Sequence, residues 1–238
     1  FDLFFRKNPF QGEYTIFAGL EEALGMIASY HISSEQIQYI RDYVLPDADP
    51  DFFQWLSGVN CSSITIHAIE EGSLVFPREP LLRLEGPLAI CQLLETTLLT
   101  LINFSSLVAT NASRFRIAAG HDKTLLEFGL RRAQGPDGGL TASRYSYMGG
   151  FDGTSNVFAG MIFGLPVKGT HAHSFVQAFR GLDDIKTNNS FVDIKEKRIS
   201  LVDAAVSARN ELGYGNTNEG ELAAFISYAI AFPEGFLA

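Results

Sequence analysis

Two short stretches of this sequence carry side chains able to do chemistry on an anion. The first is Arg131-Arg132, at the end of the run Leu125 to Arg131, which reads as a strand. Alternation along a strand puts Glu127 and Arg131 on one face and Leu126, Phe128 and Leu130 on the other. With the Leu and Phe face turned to helices, Arg131 points into the mouth of a parallel sheet. A guanidinium there suits a carboxylate or phosphate, held by two parallel charge-assisted hydrogen bonds. The competing reading pairs Arg131 with a nearby acid, Glu127 or Asp137.

The second stretch is Lys168-Gly169-Thr170-His171-Ala172-His173-Ser174, where the same alternation puts Gly169, His171 and His173 on a common face. Two histidines one residue apart at a strand end serve as metal ligands in barrel hydrolases. Further ligands are lacking for that reading, because His31, His67 and His121 fall at a helix end, in a strand and in a loop. Histidine also acts as a nucleophile or acid/base, with a nitrogen able to accept a phosphoryl group. A histidine that only hydrogen-bonds backbone is the third possibility. Gly169 weighs against it, since a glycine allows a ligand to approach the backbone closely.

These stretches need a scaffold, and the apolar pattern supplies one. Phe1 to Arg6 and Tyr14 to Phe17 read as short strands, followed by a helix through Leu20, Ala23, Leu24 and Ile27. Ser33 and Gln36 fit a capping box for a second helix. Ile64 to Ile69 and Leu81 to Leu84 alternate like half-buried strands. Leu88 to Thr110 is apolar enough to suggest a membrane span, but Gln92, Glu95 and Asn103 interrupt it. The pattern favours a long buried helix with Leu94, Leu98, Leu101 and Ile102 on one face.

From about Thr124 the rhythm becomes strand, loop, helix. The glycine-rich stretch Gln134 to Gly139 reads as a loop before a helix through Tyr145 and Tyr147, and Asp152 to Ser155 reads as the cap of a helix carrying Val157, Phe158, Met161 and Ile162. Gly164 ends that helix, and Pro166 to Ala172 reads as the next strand. Later helices run through Leu201 to Leu212 and through Leu222 to Ala229, the last capped near Asn216 or Thr217. The expectation is an α/β protein: an N-terminal α+β domain, residues 1–120, then part of an irregular α/β barrel, residues 121–238, which is short of the ~200–250 residues a full barrel takes.

Composition limits the partners. With 18 basic and 27 acidic side chains in 238 residues the formal charge is −9, which argues against a nucleic-acid binder. Cys61 and Cys91 form no close pair, so two reduced, buried thiols in a cytoplasmic protein are expected, and Trp55 and most phenylalanines are assigned to the core. Phe1 already lies inside an apolar run and Phe232 to Ala238 reads as the start of a strand, so the sequence reads as a piece cut at both ends.

The run Glu127-Phe128-Gly129-Leu130-Arg131-Arg132-Ala133-Gln134-Gly135-Pro136-Asp137-Gly138-Gly139, with Tyr145-Ser146-Tyr147 and Gly149-Gly150-Phe151-Asp152-Gly153-Thr154-Ser155-Asn156-Val157, closely resembles the nicotinate phosphoribosyltransferase family. So do Gly169-Thr170-His171-Ala172-His173-Ser174-Phe175, Glu219 to Phe225 and Gln92 to Thr96. The resemblance implies a type II phosphoribosyltransferase-like fold. It also implies an enzyme that joins nicotinate to phosphoribosyl pyrophosphate, coupled to ATP and needing Mg²⁺, cytoplasmic and homodimeric. It assigns His173 as the histidine that ATP phosphorylates and Arg131 as the grip on the nicotinate carboxylate. Gly169, Thr170 and Ser174 would line the site, with Glu127 and Asp152 as candidates to orient the His173 ring. His171 departs from the family pattern, either incidentally or as a second phosphate contact. A tyrosine-bearing segment before Phe1 and later loops for pyrophosphate and Mg²⁺ belong to the family pattern but not to this sequence. The alternatives are a metal-dependent hydrolase using His171 and His173, or a catalytically inert fragment.

Overall fold

The computed structural model describes residues 1–186, 191–194 and 197–234, which divide into two compact units, Phe1–Lys168 and Gly169–Ala238. The first unit starts with β1 (Asp2–Leu3), β2 (Thr15–Ile16) and α1 (Leu20–Ala28). Next come α2 (Ser34–Tyr39), α3 (Pro50–Ser57), β3 (Thr65–Ala68), β4 (Leu74–Val75) and β5 (Leu82–Glu85). The Ser33 side chain accepts from the Gln36 N–H and Gln36 accepts from the Ser33 N–H, which is the capping box read from the sequence. Strands β1, β5 and β3 pair antiparallel, with β5 in the middle. Leu82 and Leu84 face the core while Arg83 and Glu85 face solvent, the alternation that one covered sheet face requires.

Helix α4 (Leu88–Ala119) is the spine of this unit and runs nine residues past the expected end at Thr110, with Arg114 and Arg116 in its last turns. Leu94, Leu98 and Ile102 bury their side chains in the core with Phe17, Val75 and Leu82. By length and composition alone α4 could cross a membrane, but this apolar row is committed to the core. Further along, small residues line the helix. Ser106 Oγ accepts from the Ala18 N–H at 3.0 Å and Thr110 Oγ1 from the Ile16 N–H at 2.8 Å, which fastens β2 to the helix. Trp55 is 43% exposed, stacked at 6.0 Å on Phe52; Phe53 fills the core beside it. The expected core tryptophan is therefore a surface one, because the eight-residue α3 has a single inward face, which Phe53 and Leu56 occupy.

The parallel part follows as β6 (Leu126–Glu127), α5 (Gly135–Met148), β7 (Gly153–Thr154) and α6 (Val157–Phe163), with β6 and β7 parallel and Thr154 bridging to Val167, also parallel. That is a strand-helix-strand-helix-strand succession, and among the described residues it closes no barrel. Its joints depend on two close approaches. A Cβ on Gly149 would lie 2.4 Å from the Ala109 carbonyl, so the glycine lets α5 meet α4. Arg116, from the end of α4, donates to the carbonyls of Gly150, Gly120 and Lys123 and to the Asp152 carboxylate.

Four expectations fail here. The strand expected to reach Arg131 stops at Glu127, and Leu130–Arg132 forms a 3-10 turn. The glycine-rich stretch expected as a loop is already helical from Gly135, with Pro136 in the first turn where its missing N–H costs nothing. The strand expected over Pro166 to Ala172 reduces to the single bridge at Val167. The α6 cap is Asn156, whose Oδ1 accepts from the Ala159 N–H, one residue beyond the stretch expected to supply it.

The second unit holds α7 (His173–Val176), the antiparallel pair β8 (Phe191–Ile194) and β9 (Lys197–Ser200), α8 (Leu201–Glu211) and α9 (Glu219–Ala231). The cap of α9 is Asn218, not Asn216 or Thr217. A Cβ on Gly220 would fall 2.3 Å from the Phe179 carbonyl, so α9 packs tightly against the chain that leaves α7. The strand expected to begin at Phe232 lies partly outside the described residues; Phe232 itself ends α9.

Candidate active site

In the first unit the chemistry gathers at the end of β6. Glu127 is 9% exposed, a carboxylate nearly out of water, and it is thoroughly partnered. One oxygen accepts from the Gly129 N–H; the other lies 2.7 Å from Thr154 Oγ1 and 3.0 Å from Ser143 Oγ. Asn156 joins the group, its N–H donating to Thr154 Oγ1 at 3.0 Å and its Nδ2 to Ser143 Oγ at 3.2 Å. A buried carboxylate is tolerated when hydrogen bonds replace its water shell, and this set ties β6, α5, β7 and the start of α6 together.

Arg131 stands one turn onward, exposed, in the 3-10 turn. The shared face expected for Glu127 and Arg131 does not exist. Once the Glu127 carboxylate takes the Gly129 N–H the strand cannot continue, so Glu127 turns inward and Arg131 outward. Among the described residues Arg131 makes no ion pair, with Glu127, Asp137 or any other acid. Its guanidinium is available to an outside anion.

Asp152, the other acid considered for the histidine, accepts from the Leu125 N–H at 2.7 Å and from Arg116 at 2.5 Å. The Leu125 hydrogen bond first, and Arg116 second, hold its carboxyl below the usual range. A further buried group escaped the sequence reading. Tyr145, fully buried, donates to Glu22 and lies 3.2 Å from Glu71, while Arg144 pairs with Glu21 and Glu22. Burial, then Glu22, pushes the Tyr145 phenol well above its ordinary range. Glu71 in turn accepts from the Gly19 and Leu20 N–H groups at the start of α1.

The histidine stretch belongs to the second unit. His173 is exposed at the first position of α7, with Ser174 beside it, also exposed; Gly169 and Thr170 lie in irregular, exposed chain. The common strand face expected for Gly169, His171 and His173 is therefore absent, because no strand forms there. A Cβ on Gly169 would meet nothing within 4 Å, so no packing inside the chain demands the glycine. His171 is half-buried, edge-on to Phe225 and Tyr228 of α9 at 5.3 Å each, which seats its ring in an aromatic setting. Among the described residues no three His, Cys, Asp or Glu side chains come together as a metal site. The two cysteines are free; Cys91 is buried as expected, but Cys61 is only partly so, and burial raises its thiol pKa.

The fold defined by these elements is an α/β one, with short parallel strands joined by helices in its first unit. The architecture is type II phosphoribosyltransferase-like: a nicotinate-nucleotide pyrophosphorylase from Pyrococcus furiosus superposes with a TM-score of 0.57 over 90% of this chain and 48% of that one, at 24% identity. Human nicotinic acid phosphoribosyltransferase superposes with a TM-score of 0.87 at 46% identity, over 98% of this chain and 48% of that one. Residues 1–103 match the nicotinate phosphoribosyltransferase (NAPRTase) N-terminal domain. The nicotinate phosphoribosyltransferase of Dictyostelium discoideum is 53% identical over all 238 residues, which cover 40% of that protein. This chain is therefore similar to nicotinate phosphoribosyltransferases from end to end, and it spans less than half the length of the curated relatives it matches.

Proposed function

We propose that the protein to which this chain belongs is a nicotinate phosphoribosyltransferase, forming nicotinate mononucleotide and pyrophosphate from nicotinate and phosphoribosyl pyrophosphate on the way to NAD. The observation that carries this reading is identity of about half over the entire chain to relatives of that name. Arg131 takes the nicotinate carboxylate: it is exposed, on a held turn, and unpaired among the described residues. Orienting the pyridine nitrogen toward the anomeric carbon matters because breaking the ribose–pyrophosphate bond leaves little covalent work for the protein beyond positioning and charge.

His173 is the phosphoryl acceptor. One ring nitrogen attacks the terminal phosphorus of ATP, the bond to the ADP oxygen breaks, and water later cleaves the phosphorus–nitrogen bond to release phosphate. Its exposure at the start of α7 leaves the ring free for this. Gly169, Thr170 and Ser174 line the same stretch. Mg²⁺ belongs to the proposed reaction as a partner of the phosphates, but the described residues form no ligand set for it, and no step here is assigned to it. The protein is proposed as a cytoplasmic homodimer, with residues 1–120 and 121–238 as its N-terminal and barrel-side domains.

A metal-dependent hydrolase built on His171 and His173 is not favoured, since His171 is seated against aromatic rings and the homologues are phosphoribosyltransferases. The test is direct. Protein from the complete reading frame, given nicotinate, phosphoribosyl pyrophosphate, Mg²⁺ and ATP labelled on its terminal phosphate, should form the mononucleotide and carry acid-labile label that His173→Ala abolishes. No mononucleotide, or label that persists in the variant, would overturn the corresponding part.

A further inference from the structure

We propose that Glu127 is the positioning residue for Arg131, acting through the turn that carries it; this rests on Arg131 being the nicotinate-binding arginine. Nothing among the described residues hydrogen-bonds or ion-pairs with the Arg131 guanidinium, so no contact of its own fixes where it stands. Its place is set through the backbone. The Gly129 N–H donates to the Glu127 carboxylate, which bends the chain out of β6. The Arg132 N–H then closes on the Gly129 carbonyl at 2.8 Å and the Ala133 N–H on that of Leu130 at 3.2 Å.

The carboxylate can impose this bend only because it is itself held. Thr154 Oγ1 at 2.7 Å and Ser143 Oγ at 3.0 Å grip its second oxygen from β7 and α5. From the other side Leu130 lies against α5, where a Cβ on Gly139 would come within 2.5 Å of Leu130 Cδ1. Gly129 is constrained too, since a Cβ there would meet the Glu127 carboxylate at 2.9 Å. Arg131 thus has fixed backbone on its N-terminal side and a free side chain. Such an arginine loses less freedom on gripping a planar carboxylate than one on a loose loop, because only its side-chain torsions remain to be ordered. A buried acid that served stability alone would leave base selection untouched when removed, and that difference separates the two roles.

The experiment uses protein from the complete reading frame, with wild type, Arg131→Ala, Glu127→Ala, Glu127→Gln and Gly139→Ala compared at a temperature where circular dichroism shows them folded. Glu127→Ala should raise KM for nicotinate by about tenfold or more, with a smaller change in kcat, and lower the preference for nicotinate over nicotinamide. Glu127→Gln keeps an acceptor for the Gly129 N–H and should recover most of both. Gly139→Ala displaces Leu130 from the opposite side and should raise KM in the same direction, which keeps the inference testable if Glu127→Ala does not fold. Folded Glu127→Ala or Gly139→Ala with wild-type KM and base preference overturns it. If Arg131→Ala itself leaves KM for nicotinate unchanged, the role of Arg131 falls and this inference falls with it. A large Arg131→Ala effect beside a silent Glu127→Ala removes only the positioning role.

Discussion

Thr154→Val probes the buried acid at its tightest hydrogen bond. Thr154 is 1% exposed; its hydroxyl donates to Glu127 at 2.7 Å and accepts from the Asn156 N–H at 3.0 Å. Valine keeps the shape and removes both bonds. A hydrogen bond to a charged group contributes about 1.5–3 kcal/mol and a neutral one about 0.5–1.5, so a loss of about 2–4.5 kcal/mol is expected. For a chain of this size each kcal/mol moves Tm by about 2–4 °C, which places the drop at about 4–18 °C. Thermal unfolding followed by far-ultraviolet circular dichroism measures it, with Thr170→Val, on exposed irregular chain, as the control expected within about 0.5 kcal/mol of wild type. If Thr154→Val also stays within about 0.5 kcal/mol, the carboxylate does not depend on its hydroxyl partners and the account of the β6 end is wrong.

Three further outcomes follow from the same geometry. Asp152 has a folded-state pKa held below its ordinary 3.8, so its contribution is present above that value and lost as pH falls through the lowered one. Wild type should be more stable than Asp152→Asn at neutral pH, the gap closing on acidification below about pH 4; a gap constant into strong acid would contradict the Leu125 and Arg116 hydrogen bonds. The Tyr145 phenol is pushed up by burial, so the stability it lends is present below its ordinary 10.0 and lost above it. An alkaline titration should therefore show one tyrosine ionising only as the protein unfolds, and Tyr145→Phe should remove that late step. His171→Phe keeps an aromatic ring against Phe225 and Tyr228 and should leave phosphorylation of His173 within about threefold of wild type, whereas a second-phosphate role would show as loss of label.

Much of the scaffold could be read from local signals that tertiary contacts reinforce. The Ser33–Gln36 box caps α2, Leu94, Leu98 and Ile102 bury one face of α4, and Gly164 ends α6 in the left-handed conformation. The failures cluster where a side chain competes with the ladder. Leu125 to Arg131 alternates like a strand, yet the Glu127 carboxylate takes the Gly129 N–H that a longer strand would have offered to a neighbour. Gln134 to Gly139 has a loop's composition, but Pro136 suits a first helical turn and Gly139 is required where Leu130 packs. Of the site, Arg131, Glu127 and the histidine stretch were visible as residue types, and Thr154 only as part of a helix cap, while its pairing with Glu127, and the parts of Ser143 and Asn156, were not. Small polar residues are common in surface loops, and only the fold makes these three buried partners of an acid.

The most direct measurement of the central claim is kcat/KM for nicotinate and for nicotinamide in protein from the complete reading frame, wild type against Arg131→Ala. A charged hydrogen-bonded contact of about 1.5–3 kcal/mol corresponds to about 10–150-fold, so the wild type should favour nicotinate strongly and the variant should lose about that factor on nicotinate while nicotinamide changes little. Equal loss on both bases, or an unchanged preference in the variant, would mean that Arg131 does not hold the carboxylate.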